Sequence, residues 1–175
     1  MPKCVLLDAN IIIEAYKMGV WEKLIEKVEI IVSSIVAHDE ALFYSKKEGG
    51  VPEPINLKGL IEEGKIKEIS ASQEEIAEFL NKFDRVFVEG LHLGESESLA
   101  LIMNCKLDDT LFCSGDATAI QALAMIGFSD LGISFEKLLK KTGLQKKIRK
   151  HFLGKFFKEN INIGVQNLIT GQGLK

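Results

Sequence analysis

Apolar positions along the 175-residue chain fall into short unbroken runs that alternate with stretches of helical spacing, the pattern of strands covered on both faces by helices. Cys4-Val5-Leu6-Leu7 predicts a buried strand that ends on Asp8, and Glu29-Ile30-Ile31-Val32 predicts a second. Between them, Ile11 to Lys17 and Val20 to Lys27 have helical periodicity. Ser33 and Ser34 are N-cap types for a helix expected through Val36, Glu40 and Phe43 to about Ser45. Lys46 to Gly50 and Val51-Pro52-Glu53-Pro54 break the pattern and predict a polar surface loop.

Lys65 to Ile69 predicts a short strand, and Ser72-Gln73-Glu74-Glu75 is a capping box opening a helix toward Val88. Gly94-Glu95-Ser96-Glu97-Ser98 is an acidic helix start leading into an apolar stretch. Thr110-Leu111-Phe112-Cys113 predicts a further buried strand, ending in Ser114-Gly115-Asp116 before a helix over Ala117 to Ile126. Beyond the turn region at Gly127 to Gly132, Phe135, Leu138 and Leu139 suit a helix, and the Lys-rich segments to Lys158 suit one or two more. Gly164, Gly171 and Gly173 predict a fraying end. Alternating strands and helices imply a mainly parallel α/β sandwich.

Composition narrows the class. With 46% hydrophobic and 27% charged residues, the chain has enough apolar content to bury a core and is not expected to be disordered. No apolar run is long enough to span a bilayer, and Asp8 interrupts the N-terminus too early for a signal peptide, so a cytoplasmic protein with no membrane association is expected. Cys4, Cys105 and Cys113 are odd in number and lack C-x-x-C spacing, which predicts buried small hydrophobes in a reducing compartment. His38, His92 and His151 form no His/Cys zinc set and are read as surface or structural residues.

A net charge of −3 argues against a general nucleic-acid coat, but its distribution is uneven. Residues 1 to 136 carry 24 Asp/Glu and 12 Lys/Arg, a balance of −12; residues 137 to 175 carry one acid and 10 Lys/Arg, a balance of +9. The basic segment reads equally as a solvated helical surface and as a contact for a phosphate backbone, carried by Lys140, Lys141, Lys146, Lys147, Arg149 and Lys150.

The acids of the body point to chemistry. Asp8 and Asp116 each follow an apolar strand, and in parallel sheets such carboxyl ends share a crevice where ligands bind. Taken singly, Asp116 is an ordinary N-cap residue, and Glu95 and Glu97 are ordinary first-turn acids that complement a helix dipole. Of Asp39 and Glu40, about 100° apart on a helix, Glu40 is favoured to face inward with Val36 and Phe43. Carboxylates gathered on one edge repel and raise one another's pKa unless a cation intervenes. A hard divalent ion, Mg²⁺ or Mn²⁺, suits an all-oxygen set and serves phosphodiester cleavage.

The motifs Leu7-Asp8-Ala9-Asn10, Glu40 in a helix led by Ser33-Ser34, Gly94-Glu95-Ser96-Glu97-Ser98-Leu99 and Ser114-Gly115-Asp116 together resemble the PIN domain, the metal-dependent nuclease fold of VapC-type toxins. The resemblance covers roughly residues 3 to 128 and implies a three-layer α/β sandwich for a domain of residues 1 to 130; residues 131 to 175 exceed the compact toxin length and are expected to form a basic helical extension packed on the same domain. It implies Asp8 as the central metal ligand, with Glu40, Glu95 and Asp116 as further catalytic carboxylates and Glu97 competing with Glu95 as a ligand. Asn10 would orient ligands or water, and Ser114 would donate to a carboxylate or water. The implied activity is Mg²⁺- or Mn²⁺-dependent hydrolysis of single-stranded RNA. An antitoxin protein and a second copy of the chain are the implied protein partners.

Three other readings compete. A phosphatase of the haloacid dehalogenase type needs a second Asp two residues after the first, where this chain has Asn10. A receiver domain needs an acidic pair after a strand, whereas Asp108-Asp109 precedes one. A non-catalytic PIN-like module binding RNA or a protein would be expected to have lost some of these acids, and this sequence retains them. No Ser lies in a nucleophile-elbow motif.

Overall fold

Four strands, β1 (Cys4–Leu7), β2 (Glu29–Ser33), β5 (Lys67–Ile69) and β6 (Thr110–Cys113), form a wholly parallel sheet in the order β5-β2-β1-β6. The structure is a computed structural model, and it describes residues 4–175. Alternate residues of each strand enter opposite cores, as the two-residue period of a strand requires. Val5, Leu7, Ile30, Val32 and Cys113 join Trp21, Leu24, Phe135 and Phe152 on one face. Cys4, Leu6, Ile31 and Phe112 join Phe79, Phe83, Leu99 and Leu123 on the other. Helices therefore flank the sheet on both sides. Those of the first core are α1 (Ala9–Lys17), α2 (Trp21–Lys27) and α8 (Phe135–Thr142); those of the second include α4 (Gln73–Leu80), α6 (Leu93–Met103) and α7 (Ala117–Met125).

Where local pattern and tertiary pairing conflict, pairing wins. The helix expected to run to Ser45 stops at Glu40, ending in a π turn over Val36–Glu40 closed by Ala41 N–H donating to Val36 O at 2.9 Å. The chain is then drawn into a hairpin, β3 (Phe43–Tyr44) against β4 (Glu53–Pro54), with Tyr44 packed on Tyr16. The segment from Lys46 to Pro54 is thus the return arm of a hairpin as well as a loop. The short helix α3 (Leu57–Glu62) follows it.

The helix expected from Ser72 toward Val88 is two helices. The capping box of Ser72 and Glu75 opens α4, but Asp84 caps a separate α5 (Arg85–Glu89) by accepting the Phe87 N–H at 2.8 Å. The break lets Phe83 enter the core. It also frees the Asp84 N–H to donate to Gly173 O at 2.9 Å.

The same contact overturns the expectation of a fraying end. Helix α9 (Gly154–Thr170) lies along α7, and a side-chain carbon at Gly164 would collide with the Gln121 carbonyl, so glycine is what permits the close approach. After α9, Lys175 N–H donates to Lys82 O at 3.1 Å. Cys4 and Cys113 are buried as expected, but Cys105 is exposed in a left-handed turn at φ 53°. No helix among the described residues is long and apolar enough to cross a membrane.

Candidate active site

The strand order locates the site. The chain proceeds outward from β1 to β2 to β5 and then returns to place β6 on the other side of β1. The topological switch therefore lies between β1 and β6, and ligands of parallel sheets bind outside the strand ends at that point. Asp8 follows β1 and Asp116 lies three residues after Cys113, the end of β6. The two ends are tied by the Asp8 N–H donating to Cys113 O at 3.1 Å.

Four carboxylates line one cleft of about 350 Å³: Asp8, Glu40, Glu95 and Asp116, with Asn10 and His92 beside them. Each is held from behind by a donor. Asp8 caps α1, accepting the Ala9 N–H on Oδ1 at 2.6 Å and the Ser114 hydroxyl on Oδ2 at 2.7 Å. Ser114 Oγ in turn accepts the Asp116 N–H at 3.0 Å, and Asn10 Oδ1 accepts the Gly115 N–H at 3.2 Å. These bonds lock the turn after β6 to the start of α1. Asp116 caps α7 through Oδ1, which accepts the Ala119 N–H at 3.0 Å. Glu40 Oε1 accepts the Gly94 N–H at 2.9 Å, and any side chain at Gly94 would strike the Glu40 carboxylate and Val36. Glu95 Oε2 accepts the His92 N–H at 3.0 Å, the reciprocal arm of a capping box. The helix-capping roles anticipated for Asp116 and Glu95 are therefore real, and they fix one oxygen of each while the carboxylate stays in the cleft.

Burial and mutual repulsion load the set electrostatically. Asp8 is 2% exposed, and burial lifts its carboxyl to about 6 against the lowering effect of the Ser114 and Ala9 bonds. Glu95, also 2% exposed, is raised to about 9, first by burial and then by the charges of Asp8 and Asp116. Such a set favours whatever brings positive charge, whether protons or a metal.

No family model, curated protein or solved structure matches the chain. The residues themselves must carry the reading. The donor chemistry fits Mg²⁺ or Mn²⁺: all four acids offer oxygen, Glu40 and Asp116 each keep one carboxylate oxygen clear of the bonds described, and no cysteine lines the cleft. Among the described residues, no three Asp, Glu, His or Cys side chains stand close enough to enclose an ion as they are. Mg²⁺ commonly keeps several waters and takes few direct carboxylates, so an open set of this kind is compatible with it.

Not every predicted residue reaches the cleft. Glu97 is two positions from Glu95, about 200° around the helix, and its carboxylate accepts the Ile35 N–H at 2.8 Å and the Ala71 N–H at 3.2 Å. It bridges α6 to the segments after β2 and β5, away from the cleft lining. Asp39 is exposed, as expected when Glu40 was favoured. His38 pairs with Glu68 on the surface. His92, set aside in the sequence, lines the cleft with Nδ1 3.4 Å from Glu95 Oε1. Its only sequence signal was its place three residues before Glu95, at the head of an acidic helix.

The basic segment is divided. Lys140, Lys141, Lys146, Lys147, Arg149 and Lys150 are all exposed, and two of them are also tied to the body. Lys146 donates to Met18 O at 2.6 Å, and Arg149 pairs with Glu14 of α1 while its guanidinium lies over the Phe152 ring. Phe152 packs behind the turn after β6: a side-chain carbon at Gly115 would lie 2.5 Å from its ring. His151, beside it, is held below the usual imidazole range by burial and by Arg149.

Proposed function

We propose that the chain is a PIN-domain-like endoribonuclease that hydrolyses phosphodiester bonds of single-stranded RNA with Mg²⁺ or Mn²⁺. The observation that carries this is the convergence of Asp8, Glu40, Glu95 and Asp116, from four separate segments, on one cleft at the switch point of the sheet. When bound, the ion supplies charge for the developing phosphorane and lowers the pKa of water. The chain's own residues do the positioning. Asp8, held at both oxygens by Ala9 and Ser114, is the natural centre of the set. Asn10 and Ser114 hold the Gly115–Asp116 backbone, so that Asp8 and Asp116 keep their relation. Glu40 and Glu95 close the opposite side from the π turn and α6.

The exposed Lys140, Lys141, Lys147 and Lys150 offset the acidic body for a polyanion. A toxin role, with an antitoxin as partner, and homodimerisation extend the same proposal and rest on the motif resemblance. The test is cleavage of single-stranded RNA with Mn²⁺ by the wild type, Asp8→Asn and Asp116→Asn, alongside circular dichroism. Both variants are expected to retain the fold and lose cleavage by at least about 100-fold. Cleavage persisting in both would refute the nuclease reading.

A further inference from the structure

A second cavity, of about 290 Å³, is lined by Asp84, Phe87, Thr118, Gln121, Asn167 and Gln172 together with Gly90. At two places its lining comes within two residues of the carboxylate cleft's. Thr118 is two residues after Asp116 on the first turn of α7, and Gly90 is two before His92. These places touch, since a side-chain carbon at Gly90 would lie 3.1 Å from Thr118 Oγ1.

We propose that this cavity receives a nucleobase flanking the scissile phosphate and reads its edge, an inference that rests on the nuclease reading of the neighbouring cleft. Among the described residues its lining has no Lys or Arg and does include Asp84, so a phosphate is disfavoured. Three side-chain amides and a hydroxyl offer donors and acceptors side by side, the equipment that Asn and Gln use on base edges. Gln121 Nε2 is engaged by Asn160 at 2.8 Å, which orients its carbonyl oxygen as an acceptor. Asp84 Oδ1 is engaged by Phe87 N–H, leaving Oδ2 to accept an exocyclic amine. Phe87, stacked on Phe83 at 4.8 Å, supplies a rigid apolar wall. The acceptors favour bases that carry an exocyclic amine, adenine, cytosine and guanine, over uracil, whose pairing edge offers two carbonyls and a single N–H.

The experiment has two readouts on the full chain. Ligand-observed NMR with adenosine, cytidine, uridine, ribose 5-phosphate and a capped dipeptide amide is run on wild type, Gln172→Ala and Thr118→Val. Separately, cut sites are sequenced from a randomised RNA pool. Adenosine and cytidine are expected to bind ahead of uridine and ribose 5-phosphate. Each substitution is expected to weaken binding about two- to tenfold, one polar contact's share, and to relax base preference at one position beside the cut. The inference is overturned if no nucleoside binds, if neither substitution weakens binding, or if ribose 5-phosphate or the dipeptide binds best. It is equally overturned if the cut-site profile is unchanged in both variants. Nucleoside binding weakened in both variants, in a protein that cleaves no RNA, would defeat the nuclease reading while leaving the base site standing.

Discussion

Glu95→Gln should stabilise the metal-free protein, and by an amount that depends on pH. Glu95 ordinarily titrates at 4.5 and in the folded chain at about 9, raised by burial and by Asp8 and Asp116. Because the folded value is the higher one, the stabilisation associated with the protonated acid is complete below about pH 4.5 and is lost as pH rises toward 9. At about pH 7.5 the deficit spans about three pH units at about 1.4 kcal/mol each, or about 4 kcal/mol. Glutamine is neutral throughout and keeps a carbonyl for the His92 N–H, so it escapes that deficit. Sharing of a proton with Asp8 and its neighbours reduces the gain, and about 2 kcal/mol is a conservative expectation. Urea unfolding in EDTA at about pH 4.5, 6 and 7.5 measures it. The variant should match the wild type at the lowest pH and exceed it progressively above. A difference between the two proteins that is constant across this range, or that favours the wild type at the highest pH, would refute the account of a repulsive buried cluster.

Three further outcomes follow from particular contacts. Gly94→Ala pushes a methyl into the Glu40 carboxylate and Val36; RNA cleavage should fall about tenfold or more with little change in the far-ultraviolet spectrum, as measured by initial rates. Gly164→Ala forces α9 off the Gln121 carbonyl and should lower stability by about 1–3 kcal/mol in urea unfolding, the usual range for overpacking. Replacing the exposed Lys140, Lys141, Lys147 and Lys150 by Gln should weaken binding of a single-stranded RNA and flatten its salt dependence by up to about 0.7 per lost phosphate contact; an unchanged slope would assign these lysines to a solvated surface.

Much of the sheet was legible because parallel strands buried on both faces leave continuous apolar runs, and β1, β2 and β6 each sit on one. The placement of Asp8 and Asp116 followed from those runs. What local pattern could not supply was competition from distant segments. Phe43 has the spacing of a helical core residue with Val36, yet pairing with Glu53–Pro54 takes it into a hairpin and leaves it exposed. Phe83 and Asp84 sit inside an apparently continuous helix, but the contact of Asp84 with Gly173 is invisible in a local window. Glu97 and Glu95 are indistinguishable as sequence; only the opposed helix faces separate a strut between backbones from a wall of the cleft. His92 went unread because a lone histidine has no signature until its neighbours are known.

The packing of Phe152 behind Gly115 has a consequence for synthesis on the ribosome. All four carboxylates have been translated once Asp116 has emerged, but the turn that carries Asp116, tied on one side to Asn10 and Ser114, lacks its apolar backing until Phe152 follows and Arg149 has reached Glu14. A nascent chain can therefore hold every acid of the cleft before the back of the turn that carries Asp116 is packed.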